Sequence, residues 1–173
     1  PMSIRFAALL ILLLLLSRPA AVNPANDARS LEFYHTHTGD KLAVTYSANG
    51  SYRPGAMADL REFLADWRDG KQLDLDPALM DILWRMQKAS GHQGTWEVIS
   101  AYRSPETNAM LSSRSSGVAK KSQHVLGKAI DVRLRGYETK RLHEVALELE
   151  LGGVGYYEKS DFVHVDTGRV RRW

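Results

Sequence analysis

Two short runs toward the end of the chain constrain its fold more than anything else in it. In KAIDVRL, Ile130, Val132 and Leu134 alternate with Ala129, Asp131 and Arg133; in FVHVD, Val163 and Val165 alternate with Phe162, His164 and Asp166. Successive side chains of a strand point to opposite faces, so each run predicts a strand with one apolar face for a core and a second face carrying ionisable groups. If the two pair antiparallel, Asp131 and His164 stand side by side with Cβ atoms about 5 Å apart. His124 then returns to the same spot through the turn that contains Gly127. Two imidazoles and one carboxylate suit one Zn2+ ion and leave a tetrahedral position for water, as catalytic rather than structural zinc sites do. On spacing alone, a hydrogen-bonded structural histidine on a strand is the commoner explanation.

Composition narrows the choice. The chain has no cysteine, which excludes a disulfide framework and thiolate zinc ligation and leaves His, Asp and Glu as the only ligands for a metal. The formal charge is +3. Two of those positive charges, Arg5 and Arg18, precede the first acid, and the remainder is near neutral, which gives no support to nucleic-acid binding. Those arginines flank an unbroken apolar run, Phe6 to Leu16, too short to cross a bilayer comfortably and suited to a secretory leader. We therefore expect a signal peptide or N-terminal anchor over 1–21, a polar linker over 22–29, and one domain over 30–173. Contact with a membrane is expected only through that anchor.

Within the domain, Leu31, Phe33, Leu42, Val44 and Tyr46 alternate around Thr38-Gly39-Asp40, a β-hairpin, and SANGSYRPG reads as a loop. Met57, Leu60, Leu64 and Trp67 recur at helical spacing between Ala56 and Arg68, with Gly70 as a stop. A second helix begins near Asp76-Pro77, carries Leu79, Ile82, Leu83 and Met86 on one side, and closes at Gly91 or Gly94. TWEVISAYRS alternates as a strand, with Trp96, Val98, Ser100 and Tyr102 on one face and Glu97, Ile99, Ala101 and Arg103 on the other. SPETNAMLSSRS turns into a short helix. Glu138 to Glu150 is a helix ended by Gly152-Gly153, and DFVHVDTG is the last strand. These elements predict an α+β domain, a central antiparallel sheet flanked by helices.

SQHVLGKAID matches the S-x-H-x-x-G-x-A-x-D segment of the LAS zinc peptidases, which include D-Ala-D-Ala carboxypeptidases and dipeptidases. ISAYRSPETNAML resembles the S-x-Y-R-S-P-x-x-N-x-x-L segment that precedes it there. GGVGYYEKSDFVHVDTGRVRRW, HTHTGD and LREFLADWRDG…LDPALMDILW resemble the periplasmic YcbK-like murein endopeptidase branch, so the likeness runs in order from Ser30 to Trp173. It implies the LAS/hedgehog-like zinc peptidase fold, with His124, Asp131 and His164 as ligands of one Zn2+ ion. It also implies that Arg103, beside Tyr102, faces the scissile carbonyl or a substrate carboxylate, and that Ser122 hydrogen-bonds the bound peptide. Many LAS enzymes keep a glutamate three residues before the last histidine ligand to orient water. Asp161 holds that position here and is the candidate general base.

The implied protein is an exported, periplasmic, monomeric zinc peptidase that opens peptidoglycan stem-peptide cross-links. A D,D-carboxypeptidase trimming terminal D-alanine is the nearest alternative, and a non-catalytic zinc-containing cell-wall-binding module is another. Several features have plainer readings. His35 and His37 are better explained as the polar face of a hairpin than as a second metal pair. HEVAL at His143 begins like a zincin helix, but Leu147 stands where the second histidine belongs. Asp166 either orients an imidazole or pairs with Arg169 or Arg171. Lys120 and Lys121 either attract stem-peptide carboxylates or are solvated loop residues. Trp67 and Trp84 are expected in the core, and Trp173 either packs down or lines the cleft.

Overall fold

The computed structural model describes residues 27–115, 117–119 and 121–173. The leader expected over 1–21, most of the linker and Lys120 lie outside the described residues. Among the described residues eight strands form one sheet: β1 (Arg29–His35), β2 (Lys41–Ala48), β3 (Ser51–Tyr52), β4 (Trp96–Ser100), β5 (Ala129–Leu134), β6 (Gly153–Tyr157), β7 (Phe162–Asp166) and β8 (Arg171–Arg172). Four α-helices accompany them: α1 (Pro54–Phe63), α2 (Ala78–Ser90), α3 (Pro105–Arg114) and α4 (Thr139–Leu149). The strand order is β3-β2-β1-β4-β5-β7-β6-β8. The α+β expectation holds, but the sheet is mixed: β1 runs parallel to β4 and β6 parallel to β8, while the other pairings are antiparallel. Both parallel pairings join strands separated by a helix or a second strand, connections that tight hairpins cannot make.

The predicted hairpin forms, with Leu31 opposite Val44 and Phe33 opposite Leu42. The segment expected as a loop contains a second hairpin: Ala48 faces Ser51 across Asn49-Gly50, both in the left-handed region at φ 54° and 73°. Asn-Gly is the sequence a two-residue turn with two positive φ angles favours. Helix α1 ends at Phe63, short of the expected Arg68. The next turn is organised by Asp66, fully buried, whose carboxylate accepts the backbone N–H groups of Arg68 and Ser104. That break leaves Trp67 39 % exposed rather than in the core, stacked between the His37 ring and the Arg68 guanidinium.

Helix α2 begins where its sequence says: the Asp76 carboxylate accepts the Ala78 N–H, and Gly91 closes the helix at φ 67°. Its Leu79, Met80, Ile82, Leu83 and Met86 are buried, each stabilising the fold by about 1.5–3 kcal/mol. With Leu142 and Ala146 of α4 they cover the sheet face that carries Ile130, Val132, Leu134, Val163 and Val165. Among the described residues no helix is long and apolar enough to cross a membrane.

Besides β3, two further strands, β6 and β8, were not foreseen. β6 lies between β7 and β8, and Gly153, one of the two glycines that suggested only a helix stop, begins it; helix α4 is closed instead by Glu150 in the left-handed region. β4 also departs from simple alternation. Val98 faces Val132, but Ser100 faces Asp131, so Ile99 is an extra residue, a β-bulge. The bulge moves Ser100 from the core face to the Asp131 face, an effect that plain period-two counting cannot see.

Candidate metal centre

Strands β5 and β7 pair antiparallel with Asp131 directly opposite His164, and both side chains leave the core face. The third group arrives on a short 3-10 turn, Gln123–Leu126. Ser122 caps that turn by accepting the His124 N–H at 3.3 Å, and Gly127 closes it at φ 66°. A Cβ at Gly127 would stand 2.8 Å from the Asp74 carbonyl oxygen, so a side chain here would push the turn off its seat. His124, Asp131 and His164 are all buried, and one donor atom from each lies within 4.8 Å of the others.

Their hydrogen bonds say which atoms face inward. His124 Nδ1 lies 2.7 Å from the Ala101 carbonyl oxygen, a pure acceptor, so Nδ1 carries the proton and Nε2 presents its lone pair. His164 Nε2 lies 2.9 Å from Asp166 Oδ2, so that nitrogen carries the proton and Nδ1 faces the others. Nε2 of His124, Nδ1 of His164 and Oδ1 of Asp131 then stand 3.2, 2.8 and 3.3 Å apart. Three acceptors with no proton among them repel unless a cation joins them. Donors 2.0–2.1 Å from a tetrahedral Zn2+ are about 3.3 Å apart, so the residues present fit such an ion with little adjustment.

The electrostatics agree. Burial alone would raise the Asp131 carboxyl, but the charges and hydrogen bonds of His124 and His164 hold it far below the usual carboxylate range. Burial alone would lower His164, yet its hydrogen bonds to Asp131 and Asp166 outweigh that and raise it. Both shifts belong to the cluster without an ion, in which protons on the imidazoles supply the positive charge that a bound cation would replace. Asp166 itself is fully buried, and its carboxylate meets the His164 imidazole, a two-pronged Arg171 guanidinium at 2.9 and 2.6 Å, and the Gly168 N–H. The two roles weighed for it are filled together.

The centre forms the floor of a cavity of about 750 Å3. Arg103 lines it, 9 % exposed, its Nη1 donating to Asn108 Oδ1 at 3.3 Å and its Nη2 to Ser100 Oγ at 3.4 Å. Its buried Nε meets no acceptor among the described residues. The bulge in β4 supplies Ser100 to this contact, and the Arg103 N–H donates to the His124 carbonyl oxygen at 3.2 Å, tying the arginine segment to the ligand turn. Ser122 and Lys121 also line the cavity. An aromatic wall closes one side: Tyr157 and Phe162 stack at 4.6 Å, and the Trp173 indole N–H donates to the Tyr157 hydroxyl at 3.1 Å while its ring lies 5.1 Å from that of His164. Trp173 thus lines the cleft.

Two residues expected at the site stand elsewhere. Tyr102 is buried in the hydrophobic cluster and does not line the cavity; past the bulge the chain turns its ring toward the core. Asp161 ends a short 3-10 turn in the left-handed region, exposed, with its carboxylate 3.6 Å from Arg133 and away from the cavity lining. Sequence reasoning missed the Ala101 carbonyl and Tyr157, and it named Arg171 only as one of two alternative ion-pair partners for Asp166. The close-packed glycines near the end were the available signal, since a Cβ at Gly155 would stand 2.5 Å from the Trp173 indole.

Architecture and donor set define the class: a small α+β domain built as a metal-dependent peptidase. The family model described as Peptidase_M15_2, "Peptidoglycan L,D-endopeptidase MepK", matches residues 23–173, and the chain belongs to that family. It is 40% identical over 145 residues to the peptidoglycan L,D-endopeptidase MepK of Escherichia coli K12, covering 84% of this chain and 80% of that one. It is likewise 40% identical over 146 residues to the probable peptidoglycan L,D-endopeptidase MepK of Haemophilus influenzae, covering 84% of this chain and 78% of that one. No solved structure matches the chain.

Proposed function

We propose that this peptidase is a murein endopeptidase that hydrolyses L,D peptide bonds in peptidoglycan cross-links, with Zn2+ held by His124, Asp131 and His164. The observation that carries the reading is the convergence of three lone-pair donors beneath a cavity that also holds a buried arginine with an unpartnered Nε. Membership of the family, whose relatives are named for this activity, supports the substrate. Zinc bound there supplies a Lewis acid and a water nucleophile active near neutral pH.

The chain's own groups do the rest. Arg103 faces the scissile carbonyl and stabilises the negative charge that develops on its oxygen, a role in which a dehydrated guanidinium is far more effective than one in water. Ser122, already accepting the His124 N–H, keeps its hydroxyl proton for the peptide backbone. Lys121 draws the acidic stem peptide into the cavity. The wall of Tyr157, Phe162 and Trp173 excludes water from the side facing His164. Asp161, paired with Arg133, takes no part in this reading. A substrate of this kind supports a periplasmic location, and the scheme works with a single copy.

Digestion of defined cross-linked muropeptides, followed by mass spectrometry, tests the reading. Zinc-loaded protein is expected to convert dimers to monomers and to stop when a chelator is added. Loss of a single terminal D-alanine with dimers intact would establish the carboxypeptidase instead. Binding to peptidoglycan and zinc without turnover would establish a non-catalytic module.

A further inference from the structure

Beyond the ligands, the end of the chain forms a second construction around the site. β8 pairs in parallel with β6, setting Arg171 opposite Gly153 and Arg172 opposite Val154. From there the Arg171 guanidinium reaches back as a fork onto both oxygens of Asp166, at 2.9 and 2.6 Å, and Asp166 accepts the His164 Nε2–H at 2.9 Å. The space for this fork is made by missing side chains. A Cβ at Gly153 would collide with the Arg171 guanidinium and the Asp166 carboxylate, one at Gly152 with the Asp166 carbonyl oxygen, and one at Gly168 would stand 2.8 Å from Asp166 Oδ1. Gly153 and Gly168 thus leave room for the carboxylate–guanidinium pair, and Gly152 lets the chain approach the Asp166 backbone. The Trp173 ring lies beneath the same guanidinium at 5.0 Å.

We propose that Arg171 is a positioning residue for the metal centre, acting through Asp166 on His164, and that the room left by Gly153 and Gly168 seats it. The inference rests on the reading of His124, Asp131 and His164 as zinc ligands. Without Arg171 the Asp166 carboxylate would keep the His164 Nε2–H on Oδ2 and the Gly168 N–H on Oδ1. Two parallel N–H···O bonds from a planar guanidinium stiffen that hold. With the carboxylate plane fixed, His164 Nε2–H has one direction to donate, and Nδ1 is aimed at the ion. Partners of this kind, one step removed from the metal, typically change its affinity by about 10–100-fold.

The test measures zinc affinity by competition with a chromogenic chelator on the folded, metal-stripped protein, with circular dichroism as the check on folding. Wild type, Arg171→Gln, Arg171→Lys and Gly153→Ala are compared, and kcat and KM are measured on the same preparations. Arg171→Gln is expected to weaken zinc binding about 10–100-fold and to lower kcat at limiting zinc. Arg171→Lys, which keeps the charge and loses the fork, is expected to fall between it and wild type, and Gly153→Ala to weaken binding because it displaces the fork. If Arg171→Gln does not fold, Arg171→Lys decides alone. Folded variants that bind zinc as wild type does, with KM raised instead, would assign Arg171 to substrate binding and overturn the proposal. Wild type that binds no zinc would overturn the underlying metal reading instead.

Discussion

The chain holds two pairs of neighbouring histidines, and among the described residues one of them belongs to a donor set that could hold a metal ion. His35 ends β1, buried, edge-on to Phe63 at 6.0 Å, and its Nδ1 accepts the His37 N–H at 3.3 Å. His37 stacks on Trp67 at 4.1 Å. In this pair a lone pair is consumed locally, no carboxylate stands between the rings, and both imidazoles are pushed down, His35 by burial and then by His37. At His124 and His164 the far nitrogens are committed to the Ala101 carbonyl oxygen and to Asp166, which frees the near ones to converge with Asp131. Proximity of imidazoles is common to both pairs. What each ring does with its other nitrogen distinguishes them.

The sharpest way to break this comparison is to delete one ring from each pair. His164→Ala is expected to abolish tight zinc binding and to reduce muropeptide hydrolysis at least ~1000-fold, since only two ligands remain for the ion. His37→Ala should leave zinc stoichiometry at wild type, measured on the same folded protein. A zinc loss in the second variant would mean that the pairs are coupled. Next in size, Arg103→Ala should lower kcat about 100-fold with zinc still bound, as removal of an oxyanion donor does. Loss of zinc along with activity would show Arg103 to be holding the ligand turn rather than the reaction.

A smaller effect concerns stability. His35→Ala opens a cavity beside Phe63 and should cost about 1–3 kcal/mol in denaturant unfolding, with activity of the folded enzyme unchanged. The smallest effect is a pH dependence. A histidine whose folded value is depressed contributes stability that is complete above its unfolded value, near 6.5, and is lost as pH falls through the folded value. The unfolded chain takes up the proton first. The stability advantage of wild type over His35→Gln should therefore be larger at pH 7.5 than at pH 5.5. An advantage that grows toward acid pH would mean that His35 is protonated in the fold, contrary to the lowering that burial imposes.

Local signals carried far in some elements and failed in others. The faces of β5 and β7 followed from alternation, because an antiparallel pair with one buried face tolerates no one-residue slip. The start of α2 followed from Asp76 and Pro77, and its end at Gly91 was one of the two candidates, with Gly94. The bulge at Ile99 did not, since nothing in TWEVISAYRS marks which residue is extra until β5 lies beside it. β8 is two residues long and is defined only by its partner. Asp161 matched its position in the motif, but a left-handed turn sends its carboxylate to Arg133. Gly152 and Gly153 read locally as a helix stop; in space they make room for Asp166 and Arg171.

The sequence by itself determined the candidate metal-binding residues, the two strands that carry Asp131 and His164 and the face each occupies, because those properties repeat within a few residues along the chain. The tertiary structure alone decided that Asp131 meets His164 in register, that Ala101 and Asp166 turn the imidazoles to face one another, and that the final strand reaches back to hold Asp166. Each of these depends on contacts between segments distant in the chain, and hydrogen-bond direction at a histidine is set by whatever lies on its far side.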